Sequence, residues 1–291
     1  LKLLGNDVTL LGKVGNDEFG GMVRDILASH GAGGLITDPD SSTSYTVVLA
    51  IPGIDRIFLH NPGANDTFAA SDIPEETEEA FRKLLERRRS REPLQYIIGS
   101  TVFCGAVFKT DPRGLIPRPE TEELVEWALE EISGASEPEV LDLCCGSGCI
   151  GLSICKGRKD ARVTLTDASA DALALAKENG ERIGVPSGSV GRVEYLKGDL
   201  FEPVEDRRFD LIVSNPPYIP TEECKELQEE VRREPEMALD GGADGLDFYR
   251  RIAGEARKHL KEGGKLMMEI GDGEAENNQS EENADHNDDR C

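Results

Sequence analysis

The chain of 291 residues has few aromatic residues and no long apolar run. Aromatic residues make up 5% of it, and Trp127 is its single tryptophan. No apolar run approaches the ~18 residues of a membrane span, and no signal peptide is evident, so we expect a cytoplasmic protein. The seven cysteines contain no Cys-x-x-Cys pair, and the four histidines have no ligand spacing. No metal site is therefore expected.

Positive charge is also scarce. The chain has 33 Lys and Arg against 57 Asp and Glu, for a net charge of −24. Nucleic acids bind to basic surfaces, so this balance argues against a nucleic-acid partner. Part of the acidic excess lies in residues 272–291, which are rich in Asp, Glu and Asn and poor in apolar residues. This tail is expected to be disordered.

The most informative segment is Ser214–Tyr218, with the sequence Ser-Asn-Pro-Pro-Tyr. It follows an apolar run, Phe209–Val213, that predicts a buried strand, and open α/β sheets bind ligands at the carboxyl ends of their strands. Two prolines stiffen the loop. An Asn carbonyl and a backbone carbonyl can accept both hydrogens of an –NH₂ group while an aromatic ring covers it. The segment favours chemistry on a planar amide or amine nitrogen; a plain proline-rich turn is the alternative.

Three further strand ends carry polar or glycine-rich segments. Glu139–Leu143 leads into the small-residue turn Cys144–Gly148, which is neither a dinucleotide fingerprint nor a P-loop. Arg162–Asp167 is predicted as a second strand, and it ends in Asp167, about twenty residues after the glycine-rich turn. A carboxylate that binds ribose is expected at this position. Tyr195–Leu200 is predicted as a third strand with another acid, Asp199, near its end. Gly263–Gly271 is predicted as a fifth strand. The pattern predicts a doubly wound α/β sheet with its ligands along one edge.

Residues from about 75 to 271 resemble the release factor glutamine methyltransferases, enzymes that use S-adenosylmethionine. The Asn-Pro-Pro-Tyr motif is shared with methyltransferases that act on DNA amino groups, whereas Ile-Pro-Arg-Pro-Glu-Thr-Glu is more specific to the glutamine enzymes. The resemblance implies a Rossmann-like class I methyltransferase sheet. The segments that carry it are Arg91–Gly99, Leu115–Glu122, the turn Cys144–Gly148, Ser214–Pro220, Glu230–Pro235 and Gly241–Leu246.

The resemblance also implies residue roles. Asp142 and the glycine-rich turn would hold the methionine part of the cofactor, Asp167 the ribose, and Asp199 with Leu200 the adenine. Asn215 and Pro216 would accept hydrogen bonds from the glutamine amide, and Tyr218 would pack against it. The implied cofactor-binding residues are Asp142, Cys144, Cys145, Gly146, Ser147, Gly148, Asp167, Asp199, Leu200 and Asn215. The implied catalytic residues are Asn215, Pro216 and Tyr218, which together with Pro217 also bind the substrate.

The implied reaction is transfer of a methyl group to the N5 amide nitrogen of the glutamine in the Gly-Gly-Gln motif of a class I peptide chain release factor. Because the methyl donor is already activated, alignment and electrostatics suffice, without a metal or a dedicated base. Two alternatives stay open. One is an adenine-N6 nucleic-acid methyltransferase, and the other is a truncated or fused remnant without activity.

The two ends depart from the family. Residues 1–72 resemble the N-terminal part of ribokinase-like sugar kinases, on Leu10–Gly20, Ser44–Leu49, Asp55–His60 and Gly63–Asn65. They predict a partial α/β region in which Gly63–Phe68 is the end of the early strand segment. Residues 73–110 are expected to form a connecting helix and hairpin, with only Glu75–Arg91 left of the family's N-terminal helical domain. The methyltransferase domain is placed at 111–271, without the family's last antiparallel hairpin.

Two groups of side chains are predicted to serve packing. Trp127 falls on a helix from Thr121 to Leu129 whose apolar positions fit a core. Cysteines 144, 145, 149 and 155 cluster on the glycine-rich turn and its helix. There they are expected to act as small apolar residues.

Overall fold

The computed structural model describes residues 12–31, 34–49, 57–61, 63–67, 69, 75–185 and 192–271. The chain divides into two compact units, Leu1–Glu86 and Arg87–Cys291. The predicted tail over 272–291 lies outside the described residues. In the part that is described, no helix is long and apolar enough to cross a membrane.

The first unit contains a parallel β-α-β element. Strands β1 (Gly12–Gly15) and β2 (Leu35–Asp38) pair in parallel, and helix α1 (Glu18–Ser29) connects them. The carboxylate of Asp17 caps α1 by accepting a hydrogen bond from the Gly20 amide at 2.8 Å. The same carboxylate accepts from the Thr43 amide at 2.7 Å. This region is α/β in content, as predicted.

A hairpin and a short helix follow in the same unit. Strands β3 (Tyr45–Leu49) and β4 (Ile57–Asn61) pair antiparallel. Residues Gly63–Thr67 then form one turn of 3₁₀ helix, held by the Ala64 amide donating to the Ser42 carbonyl at 2.7 Å. The predicted strand segment therefore ends at Asn61, and Gly63–Asn65 opens a helical turn instead.

A helix and a hairpin lead into the sheet. Helix α2 (Glu75–Arg89) is followed by α3 (Leu94–Ile98), which ends at Gly99 in the left-handed conformation. Strands β5 (Ser100–Phe103) and β6 (Ala106–Lys109) form a two-stranded antiparallel hairpin. Both the helix and the hairpin lie within residues 73–110.

The second unit is built on a parallel sheet of five strands in the order β11-β10-β7-β8-β9. All five predicted strands are confirmed. The chain adds β8 and β9 on one side of β7 and then β10 and β11 on the other side. The strand order therefore reverses between β7 and β10, and open α/β sheets bind ligands at such a switch point. The elements in chain order are α4 (Thr121–Glu131), β7 (Glu139–Leu143), α5 (Cys149–Gly157), β8 (Arg162–Asp167), α6 (Ala170–Arg182), β9 (Val193–Lys197), β10 (Phe209–Ser214), α7 (Asp247–Ala256) and β11 (Leu260–Met268).

Two strands begin and end earlier than predicted. Strand β9 stops at Lys197 because Leu200 has a φ of 47°, which belongs to a turn and not to a strand. Strand β11 starts at Leu260, which pairs with Phe209 ahead of a register shift. Gly263, with a φ of 77°, takes up that irregularity inside the strand. The predicted start at Gly263 was therefore late.

Apolar clusters cover both faces of the sheet. On one face α4, α5 and α6 pack on strand residues that include Val140, Leu165 and Val213. On the other face Leu141, Leu143 and Ile212 pack with residues of α7 such as Ile252. Alternation along each strand sends successive side chains to opposite faces, so a strand buried on both sides reads as a continuous apolar run.

Trp127 departs from the predicted packing. Leu124, Val125 and Ala128 of α4 are buried, but Trp127 is 57% exposed. It lies three residues after Leu124 and one before Ala128, so it stands at the boundary of the apolar stripe. Its indole is only partly covered. The prediction was right for the helix face and wrong for the tryptophan.

Candidate functional site

Asp142, near the end of β7, fixes the start of helix α5. Its side chain is fully buried, and Oδ2 accepts a hydrogen bond from the Gly151 amide at 2.8 Å. A Cβ at position 151 would lie 2.8 Å from this oxygen, so the close approach needs glycine. Burial, with a smaller contribution from the charge of Asp167, raises the pKa of Asp142 to about 7. Asp142 therefore holds the backbone that leads out of the turn.

The turn between β7 and α5 contains three residues with positive φ. They are Cys144 at 55°, Gly146 at 52° and Gly148 at 77°. A Cβ at Gly148 would lie 2.9 Å from the Cβ of Ala176. The turn is held by its own backbone, since the Cys145 amide donates to the Thr166 carbonyl at 3.0 Å and the Gly148 amide donates to the Cys145 carbonyl at 2.7 Å.

Asp167, at the end of β8, holds the turn from the neighbouring strand. Its Oδ2 accepts from the Gly146 amide at 2.8 Å, and its Oδ1 accepts from the Ser169 amide at 2.8 Å. Burial raises the pKa of Asp167 above its ordinary value, against these two hydrogen bonds. Asp167 lines a cavity at the carboxyl edge of the sheet, where each oxygen keeps a further lone pair for a ligand.

The end of β9 meets helix α7. The Asp199 carboxylate accepts from the Arg251 guanidinium at 2.5 Å. The same guanidinium lies 5.8 Å from the ring centre of Phe248. Leu200, next to Asp199, keeps a left-handed backbone although it is not glycine, a strained state that clusters at functional sites.

Asn215 follows β10 directly and faces helix α4 and strand β11. Its Nδ2 donates to the Thr121 hydroxyl at 3.4 Å, and that hydroxyl donates to Glu269 Oε2 at 2.6 Å. The preceding residue, Ser214, donates its hydroxyl to the Leu143 carbonyl at 2.9 Å. The Asn215 loop is thereby tied to the end of β7 and to the end of β11.

The rest of the Asn-Pro-Pro-Tyr loop is held by residues 239–241. The Ile219 amide donates to the Leu239 carbonyl at 2.9 Å, and the Gly241 amide donates back to Ile219 at 2.8 Å. A Cβ at Gly241 would lie 2.7 Å from the Tyr218 Cα and 2.9 Å from the Pro217 carbonyl oxygen. The proline loop is stiff because of these bonds as well as its own rings.

A segment ahead of α4 crosses the carboxyl edge of the sheet. The buried Glu234 carboxylate accepts from the Ile116 amide at 2.9 Å and from the Arg118 guanidinium at 2.5 Å. The Tyr96 hydroxyl donates to the Gly114 carbonyl at 2.9 Å, and burial raises the Tyr96 pKa. Residues 114–118 are therefore fixed from two sides.

These elements enclose one cavity of about 370 Å³, a size typical of small-molecule sites. Of the residues implied by the resemblance, nine line it: Cys144, Cys145, Gly146, Ser147, Asp167, Asp199, Leu200, Asn215 and Pro217. Four do not line it: Asp142, Gly148, Pro216 and Tyr218. Asp142 and Gly148 shape the turn behind the cavity wall, so the structure places Asp142 behind the lining residues and not among them.

Several lining residues escaped the sequence argument. They include Gly114, Ile116, Arg118, Thr121, Phe248 and Arg251. They precede the first strand of the sheet or lie on a helix. A search for ligand-binding residues at the carboxyl ends of strands therefore does not find them. The matched segments Leu115–Glu122 and Glu230–Pro235 offered a signal, because each supplies one partner of the Arg118–Glu234 ion pair.

The cysteines of the turn behave as predicted for packing residues. Cys145, Cys149 and Cys155 are buried. Burial raises the pKa of the Cys144 and Cys149 thiols to about 12. Thiols in this state are protonated at neutral pH and are poor nucleophiles. The turn therefore contributes the shape of the cavity wall and no reactive thiol.

Two family models match the chain. The methyltransferase small domain matches residues 124–243, which contain β7 to β10 and the Asn215 loop. The PrmC N-terminal domain matches residues 51–99. The prediction that only Glu75–Arg91 remains of the N-terminal domain was too narrow, since the match begins 24 residues earlier. It overlaps the end of the region that resembles sugar kinases, and that resemblance stays a prediction.

Curated relatives extend over most of the chain. The release factor glutamine methyltransferase of Geobacter sulfurreducens is 48% identical over 227 residues, which are 77% of this chain and 74% of that protein. The enzyme of the same name from Thermodesulfovibrio yellowstonii is 41% identical over 79% of each chain. That of Bordetella pertussis is 46% identical over 68% of this chain and 72% of its own length. The chain belongs to the release factor glutamine methyltransferase family.

Proposed function

We propose that the protein methylates the N5 amide nitrogen of a glutamine, in the Gly-Gly-Gln motif of a peptide chain release factor, with S-adenosylmethionine as methyl donor. The observation that carries the proposal is Asn215. It lies at the switch point of the sheet, on the same cavity as the glycine-rich turn and Asp167. A function in translation termination fits a cytoplasmic protein.

The chain's residues fit the cofactor. The cavity of about 370 Å³ is walled by the turn Cys144–Ser147, whose tight backbone leaves room beside the ligand. Asp167 would accept hydrogen bonds from ribose hydroxyls, and Phe248 and Leu200 would flank the base. When bound, S-adenosylmethionine supplies an electrophilic methyl group on a sulfonium. Charged side chains of both signs line the cavity, two aspartates and three arginines, and Asp167 would orient the ribose.

On the substrate side Asn215 would accept a hydrogen bond from the glutamine amide through Oδ1. The Pro216 carbonyl would accept the second amide hydrogen, and Tyr218 would pack on the amide plane. Pro216 and Tyr218 do not line the cavity, so we assign their contacts to the glutamine as it enters from outside. Two acceptors on one –NH₂ group fix its plane and favour lone-pair density on nitrogen.

The test is methyl transfer to a release factor by wild type and Asn215→Ala. We expect a loss of at least roughly 100-fold in kcat/KM, with S-adenosylhomocysteine affinity within about threefold, because the substituted group acts on the substrate. Asn65→Ala, at an exposed asparagine of the first unit, is the matched control. Asp167→Ala should instead lose S-adenosylhomocysteine binding, measured by calorimetry.

Two results would contradict the proposal. Undiminished transfer by Asn215→Ala would remove Asn215 from the reaction. Methylation of adenine in DNA or RNA, with none of the release factor, would establish a nucleic-acid methyltransferase in its place.

A further inference from the structure

The Thr121 hydroxyl lies at the centre of a short chain of polar groups. Thr121 is 2% exposed, and its Oγ1 has two partners, Glu269 and Asn215. A hydroxyl has one proton to donate. Glu269 is a carboxylate that can only accept when ionised, and its Oε2 lies 2.6 Å away. The proton of Thr121 is therefore directed at Glu269.

This direction decides how the Asn215 amide is turned. Because its proton is used, Thr121 can only accept from Asn215, so it selects the –NH₂ end of the amide. The Nδ2 to Oγ1 distance is 3.4 Å, which is long but within reach of a bond that tightens with substrate. The carbonyl oxygen Oδ1 is then on the opposite side. Within the described residues it has no hydrogen-bond partner.

The fold brings the three residues together from distant parts of the chain. Thr121 is the first residue of α4, Asn215 follows β10, and Glu269 follows β11. The Glu269 amide donates to the Ser214 carbonyl at 3.0 Å, which fixes its register beside Asn215. The Glu269 carboxylate also lies at the N-terminal end of α4, where the helix dipole stabilises negative charge.

We propose that Thr121 and Glu269 are positioning residues that lock the rotation of the Asn215 amide, so that Oδ1 and not Nδ2 meets the substrate. For its substrate this rests on the proposed function. A locked acceptor binds the –NH₂ of a primary carboxamide and repels a carboxylate. The relay thus contributes to the choice of glutamine over glutamate.

Matched substitutions at Thr121 separate hydrogen bonding from shape. Thr121→Val keeps the shape and removes the hydroxyl, whereas Thr121→Ser keeps the hydroxyl and removes a methyl group. We expect Val to lower kcat/KM for the release factor by roughly 10–100-fold and Ser to stay within about threefold, with S-adenosylhomocysteine affinity kept in both. The opposite order, with Ser the poorer enzyme, would show a packing role and overturn the proposal.

Glu269 supplies the second pair of variants. Glu269→Gln keeps an acceptor for the Thr121 hydroxyl, whereas Glu269→Met does not. Glu269→Met should lower kcat/KM nearly as much as Thr121→Val does, and Glu269→Gln should lower it less. The double variant Thr121→Val, Glu269→Met should lose no more kcat/KM than either single variant, because both substitutions break the same chain of hydrogen bonds. Additive losses would mean that the residues act separately.

The selectivity for glutamine over glutamate is a measurement that a mere loss of packing at Thr121 would not change. A release factor with Glu in place of the methylated Gln serves as competitor. Wild type should bind it far more weakly than the Gln form, and Thr121→Val should narrow that ratio because its Asn215 amide can turn. An unchanged ratio would contradict a locked amide.

One measurement is independent of activity. The side-chain ¹H–¹⁵N resonances of Asn215, assigned by their loss in Asn215→Ala, should shift in Thr121→Val and in Glu269→Met. If wild type methylates no release factor but these resonances shift, the proposed function fails and the relay stands. Resonances that stay in place in Thr121→Val would refute the relay, whatever the activity.

Discussion

The two units of the chain are stabilised by different means. In the second unit, sheet residues such as Leu141 and Ile212 are fully buried between apolar clusters on both faces. In the first, the buried hydrophobic residues among the described side chains are Val14 and Ala64. Since apolar burial is the main stabilising term, the second unit should account for most of the stability.

Polar contacts take a larger part in the first unit. The buried Thr43 accepts from the Gly15 amide at 3.0 Å and donates to Asp17. Thr67 donates to Asp38 from the 3₁₀ turn. Hydrogen bonds add little net stability but cost much when one partner is left alone. A large parallel sheet thus supports a precise ligand site, while hydrogen bonds of polar side chains such as Thr43 and Asp38 stabilise the described part of the first unit.

The largest predicted effect is in the core of the sheet. Leu141→Ala should lower the free energy of unfolding by about 3–5 kcal/mol, because a fully buried leucine leaves a cavity between β7 and α7. Urea unfolding followed by Trp127 fluorescence measures it, since this single tryptophan lies in the second unit. A loss below about 1 kcal/mol would mean that the core refills and that the contrast between the units is small.

The next effect is on pH dependence and concerns Asp142. Its pKa rises from the ordinary 3.8 to about 7 in the folded protein, so the native state holds a proton that the unfolded chain releases. The free energy of unfolding therefore falls as pH rises from about 5 to 7, on the order of 2–3 kcal/mol. Carboxylates whose pKa is lowered in the folded protein, such as Asp160, change their protonation at pH values below about 5 and so do not contribute to this effect.

The control for this effect is Asp142→Asn, which keeps an acceptor for the Gly151 amide and cannot ionise. Urea unfolding at several pH values should give a flatter curve between pH 5 and 7 for this variant. A curve as steep as that of wild type would assign the dependence to other groups, with the buried Asp167 the first to test.

Sequence reasoning reached the second unit much better than the first. Buried parallel strands read as apolar runs, so β7, β8 and β10 and the turn after β7 could be placed from the sequence. Phe248 could not, because it reaches the cavity from helix α7, and Thr121 had a signal only in the matched segment Leu115–Glu122. Trp127 shows the limit of periodicity, since the pattern finds the apolar stripe but not how far neighbours cover its edge.

In the first unit the short strands gave less to read. Their contacts depend on Asp17, Thr43 and Ser42, which are polar residues with several possible partners in any sequence. The Asp17 carboxylate could have been read as a helix cap from its place before Glu18. Its bond to Thr43, 26 residues away, has no local signal.

A smaller effect tests the polar network of the first unit. Thr43→Val keeps the shape but leaves the buried Gly15 amide without its acceptor, which should cost about 1–2 kcal/mol of local stability. Hydrogen exchange of the β1 and β2 amides, followed by mass spectrometry, measures it. Ser29→Ala, which removes an exposed hydroxyl, is the control. Exchange no faster than wild type would show that apolar contacts hold this unit as well.

The smallest effect concerns surface ion pairs, which are present in both units. Lys265 pairs with Glu131 in the second unit, and Lys83 pairs with Glu79 in the first, at 2.8 and 2.7 Å. Water and salt screen most of the Coulomb attraction between the two charges of an exposed ion pair. Lys265→Ala and Lys83→Ala should therefore each lower the free energy of unfolding by ~0.5 kcal/mol or less. Thermal melts at low and high salt would measure this. If Lys265→Ala alone cost more than 1 kcal/mol, surface charge would join the buried core as a source of the difference. Near-equal small losses would leave that difference to the apolar contacts around Leu141.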